Sequence, residues 1–93
     1  MKEMQANIED RTIRLKRLSM RSMRRGTKEM DIVLSGFCAS NLAEMDEEAL
    51  DTYEALLLEN DQDLYQWITG QVVSIQRYEN LIWQINKYLS SKY

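Results

Sequence analysis

The sequence predicts an all-α protein, and three observations support this prediction. The chain of 93 residues contains no proline and only three glycines, so few positions would interrupt a helix. Leucine, methionine, alanine, glutamate, lysine and arginine, which favour helices, are abundant. Apolar residues also recur at spacings of three and four, the period of a helix with one buried face. We therefore expect a small bundle of five helices in a single domain, residues 1–93, large enough to bury a modest core.

The first helix is predicted over about residues 8–22. Its apolar stripe is thin, and most of its other positions are charged or polar; the stripe comprises Ile8, Leu15 and Leu18. A helix with so narrow an apolar stripe lies at the surface, so its arginines are predicted to be exposed. Residues 1–10 are predicted to form a flexible N-terminal arm.

The second helix is predicted over about residues 27–42. Thr27 is a candidate N-cap, and the helix dipole favours Glu29 in the first turn. Gly36 costs about 1 kcal/mol relative to alanine inside a helix, so we expect another helix to pack closely there. The inward stripe is Met30, Val33, Leu34, Phe37 and Cys38.

Two shorter helices are predicted next. The third begins after the N-cap Asp46 and ends near Asn60, and the fourth is capped by Asp61 or Asp63 and ends at Gly70. The inward residues of these two helices are Leu50, Tyr53, Leu56, Leu57, Leu64, Trp67 and Ile68.

The fifth helix, about residues 75–90, has the most regular apolar spacing in the chain. Its stripe is Ile75, Tyr78, Ile82, Ile85 and Leu89. Leu81, Trp83 and Tyr88 make this helix apolar on more than one side. It is therefore either a terminal helix with exposed aromatic residues or an interface, and the expected state is a monomer or weak dimer.

The charges divide sharply along the chain. Residues 1–28 hold nine Lys or Arg against three acids, a net +6, and residues 29–93 hold three against twelve, a net -9. A basic segment of this kind attracts nucleic acid, an anionic membrane surface or an acidic protein face. No aromatic residue is interleaved with its arginines, so we expect no nucleic-acid partner, although a basic nucleic-acid-binding module stays an alternative.

The sequence contains none of the common catalytic constellations. The chain has no histidine and one cysteine, which excludes histidine-based triads and clusters of metal-binding thiolates. It also lacks the glycine-rich motifs that bind phosphates or dinucleotides. We predict a protein that is not an enzyme and holds no metal. Cys38 is interpreted as a core residue, and the acidic pairs as helix caps.

Residues 21–31, R-S-M-R-R-G-T-K-E-M-D, are predicted to form a corner between the first two helices. Gly26 is expected to turn the backbone at positive φ and to let a partner approach, with Arg25 and Glu29 beside it. This R-G-x-x-E pattern resembles the signature of the succinate dehydrogenase assembly factors, also called FAD assembly factors. The resemblance extends over about residues 15–70. It includes Arg17 and Leu18 and the segments M-D-I-V-L-S-G-F, E-A-L-D-T-Y-E-A-L-L-L-E and D-Q-D-L-Y-Q-W-I-T-G.

The resemblance implies a chaperone that binds the flavoprotein subunit of succinate dehydrogenase or fumarate reductase. It would promote covalent attachment of FAD to a histidine of that subunit without holding the flavin itself. It implies that Arg25 pairs with a carboxylate or backbone carbonyls of the client and that Gly26 allows close approach. Glu29 would hold Arg25 in place or accept a hydrogen bond from the client. Arg17, Arg21 and Asp31 are weaker candidates for the same face.

The N-terminal residues have no apolar signal-peptide core, and no stretch is apolar enough to cross a bilayer. We therefore expect a soluble protein of a reducing compartment. The absence of an Arg- and Ser-rich transit peptide favours a bacterial cytoplasmic protein over a mitochondrial precursor, with a processed protein of the mitochondrial matrix left open. A helical regulatory protein, such as an antitoxin-like adaptor, would have a similar composition and stays the other alternative.

Overall fold

The computed structural model describes residues 10–92, and side chains as far as residue 91. No strand occurs in this part of the chain, so the all-α prediction is confirmed. Ile8 and nearly all of the predicted arm lie outside the described residues. The helices are α1 (Arg11–Ser22), α2 (Lys28–Asn41), α3 (Glu47–Leu56), α4 (Asp61–Ile68) and α5 (Glu79–Lys92), with short 3-10 turns at Leu42–Glu44 and Gln76–Tyr78.

Side chains cap the N-termini of the first four helices. The caps are Asp10, Thr27, Asp46 and Asn60. The predictions for Thr27 and Asp46 are therefore confirmed. The prediction of Asp61 or Asp63 as the cap of α4 is wrong, because Asn60 Oδ1 accepts the hydrogen bond from the backbone N–H of Asp63 at 2.8 Å.

One hydrophobic core joins all five helices. It contains Leu18 of α1, Leu34 and Phe37 of α2, and Tyr53 of α3, each at most 1% exposed. The rings of Phe37 and Tyr53 lie 6.1 Å apart. Trp67, predicted to be a core residue, is partly buried and packs against the core. The remaining buried hydrophobic residues are Met30, Cys38, Leu42, Met45, Leu50, Leu56, Leu57, Leu64, Ile68, Tyr78, Leu81, Ile82 and Ile85.

Gly36 is the point where α5 packs closely on α2. A Cβ atom added at Gly36 would lie 2.3 Å from Tyr88 Oη. The Tyr88 ring meets Phe37 edge-on, with ring centroids 6.0 Å apart. The predicted close helix contact at this glycine is confirmed.

The last helix begins four residues later than predicted. Ile75 has an extended backbone, with φ -63° and ψ 142°, and its side chain is 51% exposed. It therefore contributes nothing to the buried seam, which starts at Tyr78. The phenol of Tyr78 donates to Glu59 Oε2 at 2.8 Å, and its ring lies 5.8 Å from that of Trp67.

Candidate functional site

The corner between α1 and α2 is built around Gly26, although its backbone is not the one predicted. Among the described residues only Gly70 has a positive φ, 82°, so the prediction for Gly26 is wrong. What Gly26 supplies is space, because a Cβ atom there would lie 2.9 Å from Asp61 Oδ2 at the start of α4. The close approach that a glycine allows is therefore made by a carboxylate of the same chain.

Asp61 accepts hydrogen bonds from three consecutive residues of this corner. Its Oδ2 accepts from the backbone N–H of Gly26 and, at 3.1 Å, from that of Thr27. Its Oδ1 accepts from Arg25 Nε at 2.6 Å. The carboxylate thereby satisfies N–H groups that the turn itself leaves without partners.

Arg25 completes this arrangement, which we call the Arg25–Asp61 cluster. Arg25 Nη1 donates to the carbonyl of Leu57 and Nη2 to the carbonyl of Glu59, each at 2.8 Å. The side chains of Arg25 and Asp61 are only 10% and 12% exposed. The guanidinium thus joins the α1–α2 corner to the segment between α3 and α4.

The cluster corrects the role expected of Arg25. The sequence prediction named the right acceptors, a carboxylate and backbone carbonyls, but assigned them to a client. In the structure these acceptors belong to Asp61, Leu57 and Glu59 of the same chain. A direct contact between Arg25 and a partner stays a prediction.

Glu29 differs from Arg25 because its carboxylate faces solvent. It lies in the first turn of α2 and is exposed, and no described group hydrogen-bonds to its side chain. The alternative in which Glu29 holds Arg25 in place is therefore wrong, since Asp61 does so. Glu29 lines an open depression of about 540 Å³ between α2 and α4, here called the Glu29 depression. Its other lining residues are Thr27, Asp61, Gln62, Tyr65, Gln66 and Gln71.

Asp31 follows Glu29 in the first turn of α2 and is half-buried. Its Oδ1 atom is buried and has no hydrogen-bond partner among the described residues. Its predicted contact with a partner stays a prediction.

Arg17 and Arg21 lie against α3. Arg17 Nη1 donates to Glu54 Oε2 at 2.8 Å, and Arg21 Nη1 lies 4.0 Å from the same oxygen. Neither residue lines the Glu29 depression. The described contacts therefore do not bring these two candidates together with Glu29, and their contact with a partner stays a prediction.

The sequence predicted that the arginines of α1 are exposed, but several of them pair with acids of α3. Arg14 is only 14% exposed in its side chain, and it lies 3.0 Å from Glu47, 2.7 Å from Asp51 and 3.1 Å from Glu54. Hydrogen bonding from Arg17 lowers the pKa of the Glu54 carboxyl, with Arg14 adding to the effect and desolvation opposing it. The prediction failed because acids of α3, distant in sequence, neutralise this side of α1.

A buried polar pair fixes the end of α1. The hydroxyl of Ser22, which is fully buried, lies 2.6 Å from the Tyr53 hydroxyl and donates to the carbonyl of Leu18 at 2.8 Å. Burial raises the pKa of Tyr53, although its hydrogen bond with Ser22 opposes this shift. The pair joins the end of α1, which leads into the corner, to α3.

Asp61 is the residue of this site that sequence reasoning missed. The sequence predicts Asp61 as a helix cap, which is the commonest role of an aspartate at such a position. The available signal was its place as the first residue of D-Q-D-L-Y-Q-W-I-T-G, one of the segments that carry the family resemblance.

The described residues contain no group of three or more His, Cys, Asp or Glu side chains that could hold a metal ion. No helix in residues 10–92 is both long and apolar enough to cross a bilayer.

Comparison with known proteins gives a consistent family assignment. A model of the family described as flavinator of succinate dehydrogenase matches residues 16–89. The relative from Schizosaccharomyces japonicus is 37% identical over 78 residues, covering 82% of this chain and 54% of the relative. The Drosophila grimshawi relative is 35% identical over 77 residues, covering 81% and 52%. The Candida glabrata relative is 51% identical over 53 residues, covering 57% and 35%.

All three relatives are named succinate dehydrogenase assembly factor 2, mitochondrial. The matched part of this chain spans between about a third and a half of their length.

Proposed function

The chain belongs to the flavinator of succinate dehydrogenase family, and on this premise we propose that it is an assembly chaperone for the flavoprotein subunit of succinate dehydrogenase or fumarate reductase. It binds that subunit and promotes the covalent attachment of FAD to it. The chaperone does not catalyse the chemistry and does not retain the flavin. The client supplies the histidine and the flavin, and the chaperone contributes the orientation in which they meet.

The observation that carries this proposal is the exposed Glu29 carboxylate beside a rigid corner. The Arg25–Asp61 cluster fixes the backbone from Arg25 to Thr27, and Thr27 caps the helix that presents Glu29. The backbone that presents Glu29 is therefore held in place before binding, and a partner need not order this turn. A carboxylate presented from a preorganised backbone suits a protein that acts by positioning another.

The lining of the Glu29 depression indicates the chemistry of the client segment. Gln62, Gln66 and Gln71 offer amide groups that both donate and accept, and Glu29 adds a negative charge. Amides pair well with an extended backbone, and a carboxylate pairs with a lysine or arginine side chain. We assign the depression to a segment of the client that carries a basic residue.

The sequence left two compartments open, the bacterial cytoplasm and the mitochondrial matrix. The relatives are named as mitochondrial proteins, and this favours the matrix. The nucleic-acid alternative is weakened because Arg11, Arg14 and Arg17 already pair with carboxylates of α3. Those cations are therefore less available to phosphate groups.

The test is complementation of a cell that lacks its own factor. The wild-type chain should restore covalent flavin on the succinate dehydrogenase flavoprotein, seen as fluorescence that survives a denaturing gel. Glu29→Ala should fail, while Glu48→Ala should behave as wild type, because Glu48 is another exposed first-turn acid but lies on α3. If wild type restores nothing, the proposed function is wrong; if Glu29→Ala complements fully, the Glu29 depression is not the contact.

A further inference from the structure

Helix α1 has a second face that no described residue covers. Ile13, Lys16, Met20 and Arg24 follow one another at spacings of three, four and four, so they share one side of the helix. Ile13 is 58% and Met20 44% exposed. The opposite side of the helix carries Leu18, which is fully buried. We call this outer face the α1 strip.

The α1 strip is apolar at its centre and positively charged at its edges. A shallow depression of about 380 Å³ lies between its side chains and is lined by Ile13, Lys16, Arg17, Met20, Arg21 and Arg24. Residues 11–28 contain no aspartate or glutamate. Lys16 and Arg24 are exposed, and no described carboxylate lies within ion-pair distance of either. Their charges are therefore available to a partner.

We propose that the α1 strip binds an acidic amphipathic helix of the same flavoprotein client, as a contact separate from the Glu29 depression. This proposal rests on the proposed function. An amphipathic helix packs its apolar side chains against Ile13 and Met20, and acidic residues on its flanks meet Lys16 and Arg24. The two contacts therefore differ in the charge that they recognise, since Glu29 accepts a basic segment and the α1 strip accepts an acidic one.

The α3 side of α1 favours a protein helix over an anionic membrane. Glu47 and Asp51 lie along that side and remain 64% and 70% exposed in their side chains. Because Arg11 and Arg14 pair with these acids, this side carries little net charge, and a flat anionic surface would be attracted by the strip alone. A partner helix is only about 10 Å wide and can contact the strip without reaching them.

The test measures binding of the purified, FAD-supplied flavoprotein subunit to immobilised variants at low and at physiological salt. Lys16→Glu/Arg24→Glu should slow association about tenfold and flatten its salt dependence. Ile13→Ser/Met20→Ser should weaken binding about tenfold, mainly through faster dissociation. Lys87→Glu and Leu58→Ser are matched controls, because both residues are exposed and lie off the strip; they should bind as wild type. Circular dichroism should show every variant folded.

The outcomes separate the two proposals. Wild-type binding that Glu29→Ala abolishes and both strip variants retain would overturn the assignment of the α1 strip alone. Absence of any wild-type binding would overturn the client and the strip together. Anionic phospholipid vesicles are tested in parallel: vesicle binding lost in the strip variants, with flavoprotein binding unchanged, would show that the strip is a membrane contact and overturn the proposal.

Discussion

Removing the Asp61 carboxylate should destabilise the protein far more than removing an exposed acid from the same helix turn. Asp61→Ala leaves the Arg25 guanidinium, 10% exposed, without its counter-ion, and leaves the N–H groups of Gly26 and Thr27 without their acceptor. Breaking a buried charge pair from one side typically costs about 3 to 5 kcal/mol. The total stability of a domain of this size is about 5 to 15 kcal/mol, so the expected loss is a large fraction of it.

The assay is urea and thermal unfolding followed by circular dichroism. At roughly 4 to 8 °C per kcal/mol for a domain of this size, Asp61→Ala should lower Tm by about 12 °C or more. Asp63→Ala is the matched control: it lies in the same first turn but accepts only an exposed hydrogen bond from Asn60, so it should cost within about 1 kcal/mol.

Arg25→Met and Asp61→Ala should also be strongly non-additive, because each removes the same cluster. The cluster does not stabilise the corner if Asp61→Ala has the same Tm as the Asp63→Ala control. The same conclusion follows if the losses of unfolding free energy in Arg25→Met and Asp61→Ala simply add in the double variant.

Two further predictions concern the α2–α5 contact and the response to acid. Gly36→Ala should destabilise the wild-type protein, because the new Cβ atom meets Tyr88 Oη. In a Tyr88→Ala background the same substitution should stabilise the protein by up to about 1 kcal/mol, because alanine favours a helix more than glycine does. A loss of stability in both backgrounds would refute the steric explanation. The pKa of Glu54 is lowered in the folded state, chiefly by Arg17. Glu54 therefore contributes its full stabilisation of the folded protein above the ordinary pKa of a glutamate. This stabilisation is lost as the pH falls through the lower pKa that Glu54 has in the folded state. Glu54→Gln should therefore flatten the decline in stability below about pH 4.5, measured by urea midpoints, and an unchanged acid profile would contradict this.

Local features of the chain were predictable because their causes lie within a few residues. Thr27 and Asp46 are caps that bond three residues ahead, and the inward stripes follow the helical period. Gly36 was also informative, because a glycine inside a good helix indicates a close neighbour.

The features that sequence reasoning missed depend on residues far apart in the chain. Asp61 bonds to residues 34 to 36 positions away, and no local pattern distinguishes such a carboxylate from a cap. The positive φ predicted for Gly26 was wrong for the same reason. The distant Asp61 carboxylate satisfies the N–H groups of the turn, and Gly26 is required only because it leaves room for that carboxylate. Arg14 bonds to acids 33 to 40 positions away, so its pairing could not be read from α1 alone.

The central claim is that this chain positions its client through Glu29, and a reconstituted reaction tests it most directly. Purified flavoprotein subunit lacking covalent flavin is incubated with FAD, and the initial rate of covalent flavin formation is measured with and without the chaperone. We predict that wild type accelerates attachment, and that Glu29→Ala does not, although its stability should stay within about 1 kcal/mol of wild type because it loses only an exposed first-turn carboxylate. Equal acceleration by a folded Glu29→Ala variant, or no acceleration by wild type, would contradict the account.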